Sequence, residues 1–428
     1  KVTNHRGEFV ELPPFWITGN TNASLIGPEE WQFPDEATLL ATANDTFYYQ
    51  VENLTNSSLP NEGKCIKIVS MVANNSWDLA WMDNRIEDVL RHNQGAQIYL
   101  FPRLGLYLYS PPLRMFDRTA GTYIEDVGVG SMGSSWLENV RNNVSNIIDH
   151  LNENYPGYIM GYHIGGQQTD EWFYPTLAGD HIRYPNYSDD FVSIFSARYP
   201  GMGVPSADER DSIHSDLYAG GVGYSPFNQF SDANGYVTHT VLYNQFLNER
   251  TPEAIDAIAE KIKSKTHQNV LVSAFYGYIM ELVNNRLVLS GHQAVGEMLR
   301  KNNVDILMSP VSYKIRELGE STTYQGPLDS FQLQDTAKLW ITEDDSWTHL
   351  GLGATLKQYT DTLSGTINLL TRDFLSHFIH GNGMYLFDLY LRGNWGKRSN
   401  ENDSQAIFRT VRNLRGIYSS YMTRFRLR

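Results

Sequence analysis

The chain has 428 residues, 41% of them hydrophobic and 19% charged, an ordinary globular composition. A formal charge of −14 argues against non-specific nucleic-acid binding and against adhesion to an anionic membrane. The single cysteine, Cys65, excludes an intrachain disulfide and a cysteine-built zinc site, and no apolar stretch reaches the roughly 18 residues of a membrane span.

Short apolar runs rich in β-branched and aromatic residues recur along the chain. "FWITGN" begins at Phe15, "CIKIVSMV" at Cys65 (itself read as a small buried hydrophobe), "AQIYLFPRL" at Ala96 and "YIMGYHIGG" at Tyr158. "NVLVSAFYG" follows at Asn269, "VDILMSPVSY" at Val304, "KLWITEDD" at Lys338 and "GMYLFDLY" at Gly383. Continuous apolar strands of this kind are buried on both faces, as in a parallel sheet covered by helices. The segments between them carry the helical period. Leu137, Val140, Val144, Ile147 and Leu151 share one face, and so do Leu356, Tyr359, Leu363, Ile367, Leu370, Phe374 and Phe378. A shorter helix holds Val295, Met298 and Leu299, with Ser290 as its expected N-cap. Eight strands alternating with helices predict an α/β fold, a closed (β/α)8 TIM barrel.

Residues 106–134 and 172–236 break the alternation and read as insertions after strands three and four, where barrel loops shape a site. The barrel domain is expected over 1–391. Residues 392–428 hold eight arginines and few acids, a basic C-terminal helix or tail packed on the acidic body or used in assembly, including homo-oligomerisation. The sequence opens on Lys1 rather than Met, as a processed mature form or an artificially trimmed chain would. Sequons stand at Asn22, Asn44, Asn53, Asn56, Asn74, Asn143, Asn186 and Asn402, crowded into the turn-rich first quarter. They lead to the expectation of a secreted, extracellular glycoprotein; unused sequons in a bacterial protein are the alternative.

Two places concentrate carboxylates at strand ends. The seventh run closes on Glu343, Asp344 and Asp345, and the fourth continues through "GGQQTDEWF" to Asp170 and Glu171 beside Trp172. Strands four and seven face each other across the mouth of an eight-strand ring, so both acids would project over one pocket. An acid against an indole has the environment that raises a carboxyl pKa, as a general acid requires. Two carboxylates about 5 Å apart are the apparatus of a retaining glycosidase, one attacking the anomeric carbon and the other protonating the leaving oxygen. A wider spacing would mean inversion. A solvated turn, or a Ca²⁺ site built from residues 343–345, are the competing readings of the acid triplet.

The pieces "GYHIGGQQTDEWF", "LWITEDDSWTHL", "GTINLLTRDF" and "GNGMYLFDL" resemble clan A glycoside hydrolases, and among them the family 42 β-galactosidase-like barrels. The resemblance covers roughly residues 65–391 and is strongest after Tyr158. It implies Glu171 as acid/base, Glu343 as nucleophile and a β-linked glycoside, a galactoside by the family 42 likeness, as carbohydrate substrate. One departure stands out. Clan A enzymes commonly carry Asn before the acid/base, where it meets the sugar 2-hydroxyl, and here that place is Asp170.

Around the pair, Tyr313 at the end of strand six is a candidate to orient Glu343, and Arg103 to pair with a carboxylate. Gln168, Trp172, Trp347, His349 and Trp395 are candidates to line sugar subsites, and Asp388 to bind a hydroxyl. His163 reads as a barrel-core histidine. No cofactor and no metal are implied. No Walker lysine motif, HExxH or Gly-x-Ser-x-Gly is present. A catalytically inactive barrel that binds carbohydrate or serves an assembly is the alternative function.

Overall fold

The structure is a computed structural model that describes residues 79–93, 99–106, 110–175, 177–178, 181–210, 236–278, 289–312, 316–319, 338–351, 360–387, 395–396 and 400–424. In the first 78 residues it describes the backbone of strands only. The chain divides into two compact units, residues 1–100 with 138–160, and residues 101–137 with 161–428.

The first unit holds β1 (Val2–Thr3), β2 (Phe9–Val10), β3 (Ser24–Ile26), β4 (Glu30–Gln32), β5 (Phe47–Asn53) and β6 (Ile66–Ala73), followed by α1 (Leu79–His92). Strands β2, β1, β6 and β5 form one sheet in that order, and β3 pairs with β4. The run at Cys65 was expected as the second barrel strand. It is instead β6, antiparallel to β5 and parallel to the two-residue β1. Seven residue pairs with β5 outweigh its apolar look, which does not distinguish a barrel stave from a strand of another sheet. The run at Phe15 lies outside the described residues.

The second unit is built on a six-stranded, all-parallel sheet. Its strands are β7 (Arg103–Gly105), β10 (Gly161–Gly165), β13 (Leu271–Phe275), β14 (Ile306–Pro310), β15 (Leu339–Asp344) and β16 (Gly383–Leu386). Chain order and spatial order coincide, the arrangement of successive barrel staves. Six of the eight expected runs therefore appear as neighbours in one sheet. Among the described residues the sheet does not close, and β7 and β16 are its edges.

Side chains show that the sheet is strongly curled. Arg103 on β7 lies 3.5 Å from Glu343 on β15, four strands away. In a flat sheet four spacings amount to roughly 19 Å, beyond the reach of one side chain. Phe101, Phe275, Met308, Ile341 and Tyr385, from strands right across the sheet, likewise meet in one apolar cluster. That cluster is the inner face.

α2 (Ser134–Asn154), most of which lies in the first unit, buries Val140, Val144, Ile147 and Leu151, the stripe read from the sequence. Within the second unit, helices cover the outer face of the sheet. α6 (Leu363–Ile379) begins at Leu363, because Thr362 caps it by accepting from the Gly365 amide at 3.0 Å; Leu356 and Tyr359 lie outside the described residues. α5 (Val295–Arg300) is preceded by Ala294, which makes no side-chain cap. The expectation of Ser290 as its cap fails because that hydroxyl accepts from the His292 amide at 3.0 Å. α7 (Glu401–Arg424) is the basic C-terminal helix, with Ile407 and Leu414 buried against Leu370 of α6, Leu350 and Trp395.

The two insertions pair with each other. β8 (Pro112–Asp117) and β9 (Thr122–Gly130) come from the first, β11 (Leu177–Ala178) and β12 (His181–Pro185) from the second. They form an antiparallel sheet in the order β11-β12-β8-β9. α3 (Asp189–Arg198) packs Phe191 and Phe195 on Tyr243 and Phe246 of α4 (Tyr236–Lys265). Among the described residues no helix is long and apolar enough to cross a membrane.

Candidate active site

The chain leaves β10 through "GGQQTDEW", and the geometry explains the glycines. A Cβ on Gly165 would stand 2.6 Å from the Asp170 Cβ, and one on Gly166 2.7 Å from the Trp172 ring. Gln167, Thr169, Asp170 and Trp172 all have φ between 59° and 64°, the left-handed region. Strain of about 1 kcal/mol or more at each such residue persists only where the surroundings over-determine it. Here the Trp172 amide donates to the Gly166 carbonyl at 2.7 Å and the indole N–H to the Ile164 carbonyl at 3.0 Å. The turn folds back on its own strand and presents Glu171 at the C-terminal end of the sheet.

Glu343 reaches the same end from β15, and the pleat separates the three successive acids. Glu343 pairs in register with Tyr385 of β16, whose hydroxyl donates to its Oε2. Asp344 is fully buried, held by the Ser346 amide at 3.1 Å and near Asp373 of α6. Asp345 is 1% exposed and pairs with the equally buried Arg316 at 2.7 Å. The solvated-turn reading fails, since all three are buried. No group of three or more His, Cys, Asp or Glu among the described residues is arranged to hold a metal ion.

A single guanidinium joins the two segments. Arg103 lies 3.5 Å from Glu343 Oε2 through Nη1 and 3.4 Å from Asp170 Oδ2 through Nε, and donates to the Thr169 carbonyl through Nη2 at 3.1 Å. It packs over the Phe275 and Phe387 rings at 5.0 and 5.9 Å, which fixes the fork. Glu171 accepts from the Tyr278 hydroxyl at 2.8 Å through Oε1 and from the Thr169 hydroxyl through Oε2.

Electrostatics follow from burial. Desolvation pushes Glu343 up from 4.5 to about 7, although the Tyr385 hydroxyl and the Arg103 charge pull it back; Asp345 and Glu171 add to the rise. Glu171 is raised too, by desolvation, against the hydrogen bonds from Thr169 and Tyr278 and the charge of Arg103. Burial raises Asp170 while Arg103 opposes it. Burial, and then the neighbouring Asp373, raise the Asp344 carboxyl well above the ordinary carboxylate range. His292 is buried and lowered to about 3, so it is neutral. Its Nδ1 accepts from the Gly277 amide at 3.2 Å and its Nε2 donates to the Glu171 carbonyl at 2.8 Å.

The other expected residues are placed as follows. Gln168 is exposed on the turn, and Trp347 is buried after β15. Trp172 and Trp395 are buried, which corrects the expectation of free faces for a sugar there, and His349 is half-buried with both ring nitrogens engaged. Trp172 is 0% exposed and edge-on to Trp136. His349 is bound by Thr366 and Asp403 at 2.6 and 3.1 Å, and Trp395 sits in the α6–α7 core with its N–H on the Phe387 carbonyl at 3.1 Å. His163 is a core histidine, with Nδ1 2.9 Å from the Ser273 hydroxyl. Tyr313 and Asp388 lie outside the described residues, as do the side chains of Asn22, Asn44, Asn53, Asn56 and Asn74. Asn186 is fully buried, its amide donating to the Ser131 carbonyl and accepting from the Ser188 amide, so this fold leaves no room for a glycan there. Asn143 bonds the Asn139 carbonyl within α2, and Asn402 is exposed on α7.

Tyr278, His292 and Tyr385 were missed. Tyr278 follows the fifth strand as Glu171 follows the fourth, a signal that was available. Tyr385 needed the β15–β16 register, and His292 comes from a loop with no motif.

No family model matches the chain, and no curated protein matches it in sequence. Among solved structures, the catalytic domain of β-amylase from Paenibacillus polymyxa is 11% identical with a TM-score of 0.47, over 77% of this chain and 83% of that one. The β-galactosidase from Rahnella sp. R3 is 13% identical with a TM-score of 0.41, over 80% of this chain and 48% of that one. The β-galactosidase from Bacillus circulans sp. alkalophilus is 12% identical with a TM-score of 0.31, over 69% and 35%. The chain thus spans about half or less of each β-galactosidase.

Proposed function

We propose that the chain is a glycoside hydrolase that cleaves a β-linked glycoside by double displacement, with Glu343 as nucleophile and Glu171 as acid/base. The observation that carries this reading is the Arg103 clamp. One guanidinium touches Glu343 and the turn bearing Glu171, at the C-terminal ends of parallel strands where barrel enzymes build their sites. Both carboxyls are raised by burial, as acid and base groups working near neutrality are. Glu343 has the cation and the Tyr385 hydroxyl directly on it, contacts that favour a carboxylate anion, so the nucleophile's role falls to it. The resemblance to clan A enzymes supports the same assignment; a galactoside and a family 42 affiliation rest on that resemblance alone. A secreted location belongs to the same proposal.

The decisive experiment is incubation with a 2-deoxy-2-fluoro-β-glycoside, followed by mass mapping of the labelled peptide. A covalent adduct on Glu343 is expected, and turnover of an aryl β-glycoside should release a first-formed sugar of retained configuration by NMR. An adduct on another residue, or an inverted product, overturns the assignment. A non-catalytic carbohydrate-binding barrel is the second reading, favoured by Asp170, whose carboxylate is engaged by Arg103 where an amide would face the sugar. Saturable sugar binding with no turnover of any aryl β-glycoside would decide for it.

The pH profile offers a second check. If Glu343 must be ionised to attack, kcat/KM falls tenfold per unit below about pH 7. The Tyr385 hydroxyl stabilises the anion, so Tyr385→Phe should move this limb upward by about one unit. An unmoved limb would mean that another group controls it.

A further inference from the structure

Behind β16, on the face opposite the carboxylates, α6 and α7 form a half-open cavity of about 410 Å³. This lies within the range of sites that hold small organic molecules. Leu370, Phe374 and Phe378 of α6, Met384 of β16, and Val411 and Leu414 of α7 make its walls apolar. Alternation along β16 turns Met384 and Leu386 to the helix-side core and Tyr385 to the inner cluster, and Tyr385 also borders the cavity.

Two polar groups on the lining have no role in the packing. Asn382 is 6% exposed and its Nδ2 has no hydrogen-bond partner. A buried amide left without an acceptor is unfavourable, and a group of this kind in a native fold calls for a partner. Arg415, exposed on α7 at the cavity's rim, adds a cation. His377 also lines the cavity, and burial keeps it neutral, so it brings no charge of its own.

We propose that this cavity is a binding site for a small apolar carboxylate, its hydrocarbon body between α6 and α7 and its head group taken by Asn382 and Arg415. The walls supply the burial that favours the body, and an acid head supplies the acceptor and the negative charge that the two donors lack. The site does not depend on the carboxylate pair across the sheet.

Calorimetric titration of the full chain with sodium octanoate tests it, with octan-1-ol and sodium acetate as controls. Octanoate should bind saturably at one site per chain, and acetate should not bind. Val411→Trp, which fills the cavity, should abolish binding. Arg415→Ala, a surface change that leaves the fold alone, should weaken octanoate about fivefold and leave octanol unchanged. Asn382→Leu should weaken both. No saturable uptake of octanoate, equal binding of acetate, or full affinity in the Arg415→Ala and Val411→Trp variants would each overturn the site.

Discussion

Replacing Glu343 by Gln should reduce turnover of an aryl β-glycoside on the order of 10⁴-fold or more, while leaving the fold intact. Gln keeps the shape of the side chain and can still accept from the Tyr385 hydroxyl, but it has no charge with which to attack. The substitution also carries a stability signature that separates a catalytic carboxylate from a structural one. Burial raises Glu343 to about 7 in the folded protein, above its ordinary 4.5. Between these values the folded state binds the proton more tightly than the unfolded chain does. Stability contributed by that proton is therefore complete below about pH 4.5 and lost as pH rises toward 7. Glu343→Gln removes the cost of the buried anion, so its unfolding midpoint should exceed that of the parent at pH 8 and match it near pH 4. An inactive variant more stable than its parent at alkaline pH would show an acid kept against stability. A variant destabilised at both pH values would show instead that Glu343 serves the fold.

Some of this was legible in the sequence, and the reasons are particular. The runs at Ala96, Tyr158, Asn269, Val304, Lys338 and Gly383 point to parallel strands because each is apolar on both faces, as the strands of a helix-covered sheet are. Their order in space follows their order in the chain, as successive parallel crossovers give. The run at Cys65 looks the same, yet it pairs with β5, because apolarity records burial and says nothing about which partner a strand chooses. The carboxylate turn was legible too: two glycines, then a polar stretch, then an acid, directly after a buried strand. Its aromatic neighbours were not. Trp172 was expected at the sugar site, but the left-handed turn rotates it into the core, and Phe173 with Tyr278 and His292 forms the wall beside Glu171. Positive φ at four non-glycine residues is not a pattern that composition reveals. Arg103 could be picked out as a carboxylate partner, though not as a clamp on both segments, since that depends on the curl of the sheet.

The third acid of the triplet makes the largest stability prediction. Asp345 and Arg316 are 1% and 0% exposed, with Oδ1 and Nη1 2.7 Å apart. Arg316 also donates to the Ser312 carbonyl at 3.2 Å and the Val311 carbonyl at 2.5 Å, tying the segment after β14 to the end of β15. Arg316→Met keeps the apolar stem but leaves Asp345 as a buried charge without its cation. The expected loss is about 3–5 kcal/mol, read as a lower urea midpoint with an unchanged slope. Asp345→Asn in the same background should restore part of it, because an amide costs less to bury unpaired than a carboxylate does. Activity should drop in the single variant as well, since Glu343 is two residues from Asp345 on the same strand end. Partial recovery of both stability and turnover in the double variant would show that the ion pair places the nucleophile. Recovery of stability alone would confine Arg316 and Asp345 to the fold. A midpoint unchanged by Arg316→Met would mean that the pair is not buried as described, and the arrangement of three adjacent acids, each with its own surroundings, would have to be redrawn.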